Sequence, residues 1–212
     1  MKPLVVLLHG LARGHGSMAA LGRFLRAHGF ETWSRTYPSR RHSIAYLAST
    51  LTDQLVAAAG GRPLYAVTHS MGGILVRHLR DPRLHWERIV MLAPPNRGSR
   101  IAAGLVRNPL FRFFYGPAGL ELADASTWPP PPAPFAVIAG TRSRALSNVT
   151  SWTMGRRFPP GVPNDGTVAV EETKLPGMAA FAAVDATHTW MMNSQDARRL
   201  VLQYLNEGRF EP

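Results

Sequence analysis

The chain has 212 residues, of which 45% are hydrophobic, so it is long enough for one domain with a sizeable core. It contains no cysteine, which excludes disulfides and thiolate chemistry. Its histidines and carboxylates show no metal-ligand spacing, so we expect neither a metal nor a cofactor. The net charge of +11 is spread over scattered arginines without a nucleic-acid motif, which argues against a nucleic-acid partner.

No targeting segment is evident near the start of the sequence. The apolar run after Lys2 is too short for the core of a signal peptide, and His9-Gly10 follows it at once. The other apolar runs are too short to span a membrane. The sequence therefore predicts a cytoplasmic location and gives no oligomeric state.

Strand-like and helix-like segments alternate along the chain, as in right-handed βαβ units around a parallel sheet. Short apolar runs predict strands at 4–8, 30–37, 88–93, 135–139 and 179–184, and the run that leads from Pro63 to Ser70 predicts the third strand of the series. Apolar residues spaced by three and four predict helices that begin near Ser17 (as N-cap), Ile44, Ser70 and Ser194 (as N-cap). The stretch 141–161 is predicted to be a loop, with Trp152 as its main apolar anchor.

Residues 96–134 interrupt this alternation. They contain a predicted helix at 101–107 and an aromatic run at 111–115. In an alternating chain, such a segment is most simply a cap. We therefore predict a single domain over 1–212, with the cap inserted between its fourth and fifth strands.

The aromatic residues of this insertion have two interpretations. We favour burial of the cluster on the core, because exposed apolar patches are uncommon on soluble monomers. The alternative is a groove for an acyl chain or a cap that meets lipid, and the nearby Arg107 and Arg112 would then favour a weak contact with a membrane surface. Under this alternative, the substrate-binding residues are Phe111, Phe113, Phe114, Tyr115 and Trp128.

A serine follows the third predicted strand and directly precedes a helical pattern. The segment Thr68-His69-Ser70-Met71-Gly72 resembles the Gly-x-Ser-x-Gly nucleophile elbow of the α/β-hydrolases. Thr68 replaces the first glycine of that motif, so we expect a slightly wider turn. The alternative interpretation is that Ser70 is an ordinary helix N-cap.

Further segments resemble the same superfamily, specifically its small bacterial lipase- and esterase-like members. They are His9-Gly10-Leu11, Pro95-Asn96-Arg97-Gly98-Ser99, Asn164-Asp165-Gly166-Thr167-Val168 and Thr187-His188-Thr189, in the expected order. The resemblance covers nearly the whole chain. It implies an α/β-hydrolase fold, with a roughly six-stranded, mostly parallel sheet in the order 2-1-3-4-5-6 and helices on both faces.

The resemblance also implies a catalytic triad, in the chain order serine, acid, histidine. Ser70 is then the nucleophile, Asp165 the acid and His188 the base, each after a predicted strand. Asp185 is the closest rival acid, but it shares a loop with His188 and could hardly reach the far nitrogen of the ring. The family places its oxyanion hole at two backbone amides, which correspond here to those of Leu11 and Met71.

These residues imply a serine hydrolase that cleaves carboxylic esters through an acyl-enzyme on Ser70. The substrate is expected to be a small-molecule or lipid ester. A thioesterase, amidase or acyltransferase would use the same triad, because the scaffold does not fix the chemistry. A catalytically silent interaction protein on this scaffold is the alternative outside enzymes.

Overall fold

A parallel sheet forms the centre of the protein, seen in a computed structural model that describes residues 1–143 and 155–210. In the described part of the chain, its strands are β1 Leu4–Leu8, β2 Glu31–Ser34, β3 Leu64–His69, β4 Trp86–Leu92, β5 Phe135–Gly140 and β6 Ala180–Val184. Their order is β2-β1-β3-β4-β5-β6, and every neighbouring pair is parallel. The predicted sheet order is therefore confirmed. Trp152 lies outside the described residues.

Helices follow most of these strands. They are α1 Ala19–Ala27, α2 Ile44–Ala59, α3 Met71–His78, α4 Arg100–Leu105, α5 Pro109–Glu121, α6 Val170–Thr173 and α7 Gln195–Glu207, with short 3₁₀ helices at His15–Met18 and His188–Asn193. Within the described ranges, none of the helices combines the length and the apolar content that a bilayer crossing requires.

Several sequence-based boundaries were wrong. The fourth strand begins at Trp86 instead of residue 88, and the helix predicted at 101–107 ends at Leu105. Ser17 does not cap α1, because it lies inside the 3₁₀ helix and its hydroxyl donates to the Gly14 carbonyl at 2.8 Å. The second strand stops at Ser34 instead of residue 37, since the Tyr37 amide donates to Nε2 of His9 at 3.3 Å and leaves the ladder. The predicted N-cap Ser194 is confirmed, with its hydroxyl accepting from the Ala197 amide.

The strands separate two apolar layers, one on each face of the sheet. Along β1, Leu4, Val6 and Leu8 pack with α2, α3 and the end of α5, whereas Val5 and Leu7 pack with α1 and α7. This alternation follows from the two-residue period of a strand. Because both faces are covered, β1 and β3 are buried along their full length, as expected for central parallel strands, and β1 is apolar throughout.

Helices α4 and α5 occupy the segment predicted as a cap. Helix α5 is kinked at Gly116, which has a φ of 60° and precedes Pro117. A Cβ at Gly116 would lie 1.8 Å from the carbonyl oxygen of Arg40, so only glycine fits this approach. At its end, Glu121 accepts from the Ile44 amide at 2.9 Å and ties α5 to the start of α2. These contacts hold α5 beside the carboxyl edge of the sheet.

Candidate active site

Ser70 occupies a sharp turn between β3 and α3. Its backbone has a φ of 53° and a ψ of −123°, a conformation that is uncommon for residues other than glycine. The Ser70 amide donates to the Leu92 carbonyl at 2.9 Å, which fixes the turn to β4. The hydroxyl makes no capping hydrogen bond to α3, so the N-cap interpretation of Ser70 is wrong. The side chain is left available for another partner.

Glycines after Ser70 allow the strand and helix to approach closely. A Cβ at Gly72 would lie 2.5 Å from the Leu8 carbonyl oxygen, and one at Gly73 would lie 2.9 Å from Cβ of Pro94. Thr68 is fully buried within β3, and its Oγ1 lies 3.4 Å from the position of that second Cβ. Positions 72 and 73 therefore have no room for a side chain, whereas position 68 has room for threonine.

Three residues that are far apart in sequence form a continuous hydrogen-bonded chain. His188 Nε2 lies 2.9 Å from Oγ of Ser70, and His188 Nδ1 lies 2.7 Å from Oδ2 of Asp165. A carboxylate can only accept, so Nδ1 carries the proton and Nε2 accepts from the serine hydroxyl. The structure thus brings together the residues predicted as nucleophile, base and acid.

Asp165 is held rigidly behind His188. Its Oδ1 accepts from the amides of Thr167 and Val168 at 2.9 and 2.7 Å, and the residue is only 1% exposed. At the end of β5, Gly140 leaves room for it, because a Cβ there would lie 2.8 Å from Cβ of Asp165. The sequence did not single out Gly140. The rival Asp185 instead forms an exposed ion pair with Arg142.

His69 stabilises the backbone of the His188 loop. Its Nε2 lies 2.9 Å from the His188 carbonyl oxygen, to which it must donate, and the two rings are 4.7 Å apart. Burial, with a smaller contribution from the charge of His188, lowers the pKa of His69 well below its ordinary value. His69 is therefore neutral and acts as a support. Sequence reasoning missed this role.

His9 supports the loop that follows β1. Its ring stacks on Tyr37 at 3.7 Å, and its Nδ1 donates to the Gly10 carbonyl at 2.8 Å. The Tyr37 hydroxyl donates to the His9 carbonyl. Burial lowers the pKa of His9 to about 4, so the ring is neutral at pH 7. These contacts brace the loop that carries Leu11.

The two predicted oxyanion donors flank Ser70. Leu11 lies in the wall of the cavity beside Ser70, and Met71 is the first residue of α3. Among the residues that the structure describes, neither amide has a backbone or side-chain acceptor. The amide of Ala12, next to Leu11, donates to Oγ of Ser39 at 3.0 Å and orients this loop. In the part of the chain that the structure describes, these two amides thus have no acceptor.

A cavity of about 400 Å³ opens over Ser70 and His188. Residues of the insertion form its apolar walls: Ile101, Ala102, Phe111, Tyr115 and Leu122. Phe113 and Phe114 do not line it and are 75% and 52% exposed. Trp128 is buried elsewhere, under the guanidinium of Arg77 at 5.5 Å. Of the residues predicted to bind substrate, the structure thus brings Phe111 and Tyr115 to the cavity.

The match to a family model decides the relationship of this chain to known proteins. The model described as "Alpha/beta hydrolase family" matches residues 5–206. The chain belongs to this family. Among curated proteins, mouse Protein SERAC1 is 35% identical over 81 residues, which are 33% of this chain and 12% of that protein. The chain therefore spans only a small part of the length of this curated relative.

Solved structures of other α/β-hydrolases share the fold. Mature lipase BlEst2 of Bacillus licheniformis superposes with a TM-score of 0.78 at 17% identity, covering 97% of this chain and 91% of that one. A metagenomic carboxyl esterase gives 0.70 at 18% identity, covering 98% and 76%. A thermophilic esterase from Thermogutta terrifontis gives 0.60 at 14% identity, covering 98% and 90%. At these identities, the likeness shows the fold alone. The described residues of this hydrolase contain no cluster that could hold a metal.

Proposed function

We propose that this α/β-hydrolase cleaves carboxylic esters through an acyl-enzyme intermediate on Ser70. The observation that carries the proposal is the hydrogen-bonded chain from Ser70 through His188 to Asp165, at 2.9 and 2.7 Å. Ser70 and His188 line a cavity with Leu11 in its wall, and Met71 directly follows Ser70 at the start of α3. A nucleophile, a base with its orienting acid, and nearby amides are the groups that acyl transfer requires.

Each residue has a distinct role in the proposed reaction. His188 Nε2 takes the proton of Ser70 as its oxygen attacks the ester carbonyl carbon. The amides of Leu11 and Met71 donate to the oxyanion that develops. His188 then gives the proton to the leaving alcohol, and the acyl group stays on Ser70. A water activated by His188 releases the acid, while Asp165 keeps the imidazole in the required tautomer.

The cavity favours esters with a compact apolar group. Its volume of about 400 Å³ lies near the lower end of small-molecule sites, and its walls from α4 and α5 are apolar. The lipase and esterases that share the fold are named for the same reaction class. A small-molecule or lipid ester is therefore the proposed substrate.

A leaving-group panel tests this proposal on the purified protein. We expect the butanoate ester to be hydrolysed with a much higher kcat/KM than the matching anilide, because an amide carbonyl is less reactive, and with a kcat/KM no lower than that of the matching thioester. The measurement compares kcat/KM across oxygen esters, thioesters and anilides of one acyl group. A preference for the thioester or the anilide would replace the esterase assignment by one of the alternatives. Turnover of none of them would indicate a silent scaffold.

We also propose that the insertion forms a cap that makes weak contact with a membrane surface. Leu110, Phe113 and Phe114 project from α5 with exposed fractions of 67%, 75% and 52%. The exposed arginines Arg107 and Arg112 flank them. Leu110, Phe113 and Phe114 thus form an exposed apolar ridge. A ridge of this kind with arginines beside it is suited to binding a surface of anionic lipid.

The double substitution Phe113→Ser, Phe114→Ser tests this contact. We expect it to reduce co-sedimentation with anionic phosphatidylserine vesicles about tenfold, because two aromatic anchors are lost. Hydrolysis of a soluble butanoate ester serves as the control for folding, since neither side chain lines the cavity. Unchanged co-sedimentation of a folded variant would show that the ridge does not meet lipid.

A further inference from the structure

An arginine lines the same cavity as the nucleophile. Arg13 lies in the loop after β1 and contributes to the cavity wall along with Ser70 and His188. Within residues 1–143 and 155–210, its guanidinium has neither a hydrogen bond nor an ion pair to a protein group. Among the described residues, the cavity thus contains a cation without a counter-ion.

The charge of Arg13 is not cancelled by its surroundings. The two histidines on which its charge acts, His9 and His69, are neutral because burial lowers the pKa of both. The acid of this region, Asp165, is already occupied by His188 and by two backbone amides. Partial burial also lowers the pKa of Arg13, yet an arginine stays charged at pH 7. Partial burial of an unpaired cation is unfavourable, and an anion in the cavity would offset that cost.

The loop that carries Arg13 is fixed on both sides. On one side, the Ala12 amide donates to Oγ of Ser39 at 3.0 Å. On the other, the His15 amide donates to Oγ1 of Thr36 at 3.0 Å, and the ring of His15 contacts the same oxygen. A fixed backbone reduces the entropy that is lost when the side chain binds a ligand.

We propose that Arg13 binds a negatively charged group of the substrate, a carboxylate or a phosphate carried on the same molecule as the scissile ester. The guanidinium matches both groups because its planar N–H donors form paired hydrogen bonds with two oxygens. The apolar walls from α4 and α5 then accommodate the uncharged part of the ester. This inference rests on the proposed ester hydrolysis and adds a substrate class to it.

Matched ester pairs test the role of Arg13. One pair is p-nitrophenyl butanoate and the p-nitrophenyl half-ester of succinate, which place the charge on the acyl side. The other is monobutanoylglycerol and its phosphate ester, which place it on the alcohol side. The readout is kcat/KM of the anionic ester divided by that of its neutral partner. Arg13→Gln is compared with Arg13→Lys and with Arg23→Gln, a control on the exposed surface of α1.

We expect Arg13→Gln to lower this ratio about tenfold or more for one pair, because a charge-assisted hydrogen bond is lost. Arg13→Lys is expected to restore part of the ratio, and Arg23→Gln to leave it unchanged. The pair that responds shows whether the anion lies on the acyl or the alcohol side. A ratio in Arg13→Gln that equals the unmutated value for both pairs overturns the proposal. An equal fall in kcat/KM for the anionic and the neutral ester of each pair also overturns the proposal, since it indicates that Arg13 has a structural role.

A binding measurement separates this inference from the esterase assignment. In Ser70→Ala, calorimetry gives the Kd of the succinate half-ester and of the phosphate ester without turnover. We expect the further change Arg13→Gln to weaken one of these Kd values about tenfold. That result would hold even if the unmutated protein hydrolysed neither ester. Equal Kd values for both ligands with and without Arg13 would contradict the anion site directly.

Discussion

The substitution Ser70→Ala is expected to lower kcat for ester hydrolysis by about 10⁵-fold or more, because it removes the atom that forms the acyl-enzyme. The residual rate would come from substrate binding and from the amides of Leu11 and Met71, which remain in place. The measurement is kcat for p-nitrophenyl butanoate, with the unmutated protein and a blank without protein assayed in parallel.

Ser49→Ala is the matched control for this substitution. Ser49 lies on the exposed side of α2, and its hydroxyl donates only to the Tyr46 carbonyl at 2.8 Å. We expect this variant to keep the kcat of the unmutated protein. Ser49→Ala should keep the thermal unfolding temperature of the unmutated protein, and Ser70→Ala should lower it by only a few degrees, because the hydrogen bond to His188 is the one that its hydroxyl loses. If a folded Ser70→Ala protein kept the full rate, Ser70 would not be the nucleophile.

The substitution Asp165→Asn is expected to lower kcat by roughly 10³- to 10⁴-fold, with much less change in the stability of the fold. An asparagine amide can donate to Nδ1 of His188, which favours the tautomer with its proton on Nε2. That proton would block the acceptance of the Ser70 hydroxyl proton. The pH profile of kcat and the thermal unfolding temperature are measured together.

Asp185→Asn separates the triad acid from its nearest rival in sequence. Asp185 is exposed and forms its ion pair with Arg142, away from the hydrogen-bonded chain. Exposed ion pairs contribute little to stability, so this variant should stay within about twofold of the unmutated kcat. If Asp185→Asn lost as much kcat as Asp165→Asn, the assignment of Asp165 as the triad acid would be wrong.

The sequence predicted the sheet because its signals are local. Each buried strand is a short apolar run, and its neighbours are fixed by the handedness of βαβ units and by the family resemblance. The positions of Ser70, Asp165 and His188 also follow strand ends, so their proximity could be expected from the order of the strands alone. The choice of Asp165 as the acid depended on the family resemblance, since no local signal distinguishes it from other turn aspartates.

The aromatic run on α5 shows where the sequence interpretation failed. We expected the cluster to be buried as one unit, yet Phe113 and Phe114 are exposed whereas Phe111 and Tyr115 face the cavity. The helical spacing indicates this difference. Phe111 and Tyr115 are four residues apart, so they lie on the same face of α5, and their rings are 4.8 Å from each other. The sequence interpretation relied on the general tendency of aromatic clusters to be buried and did not use this spacing.

Arg13 and His69 could not be predicted from the sequence for a different reason. The role of Arg13 depends on the lack of an ion-pair partner for it among the described residues, since Asp165 is bound to His188. The role of His69 depends on its contact with the backbone of a loop distant in sequence. Such contacts are set by the packing of several loops at one edge of the sheet, and no spacing pattern encodes them.

Labelling with a fluorophosphonate probe tests the central claim most directly. The probe forms a covalent bond only with a serine that is activated by a neighbouring base, so it reports the Ser70–His188 pair itself. We predict a single adduct that peptide mass spectrometry locates on Ser70, its absence in Ser70→Ala, and much slower labelling in Asp165→Asn. A folded protein that takes up no probe, or takes it up at another serine, would contradict the proposed mechanism.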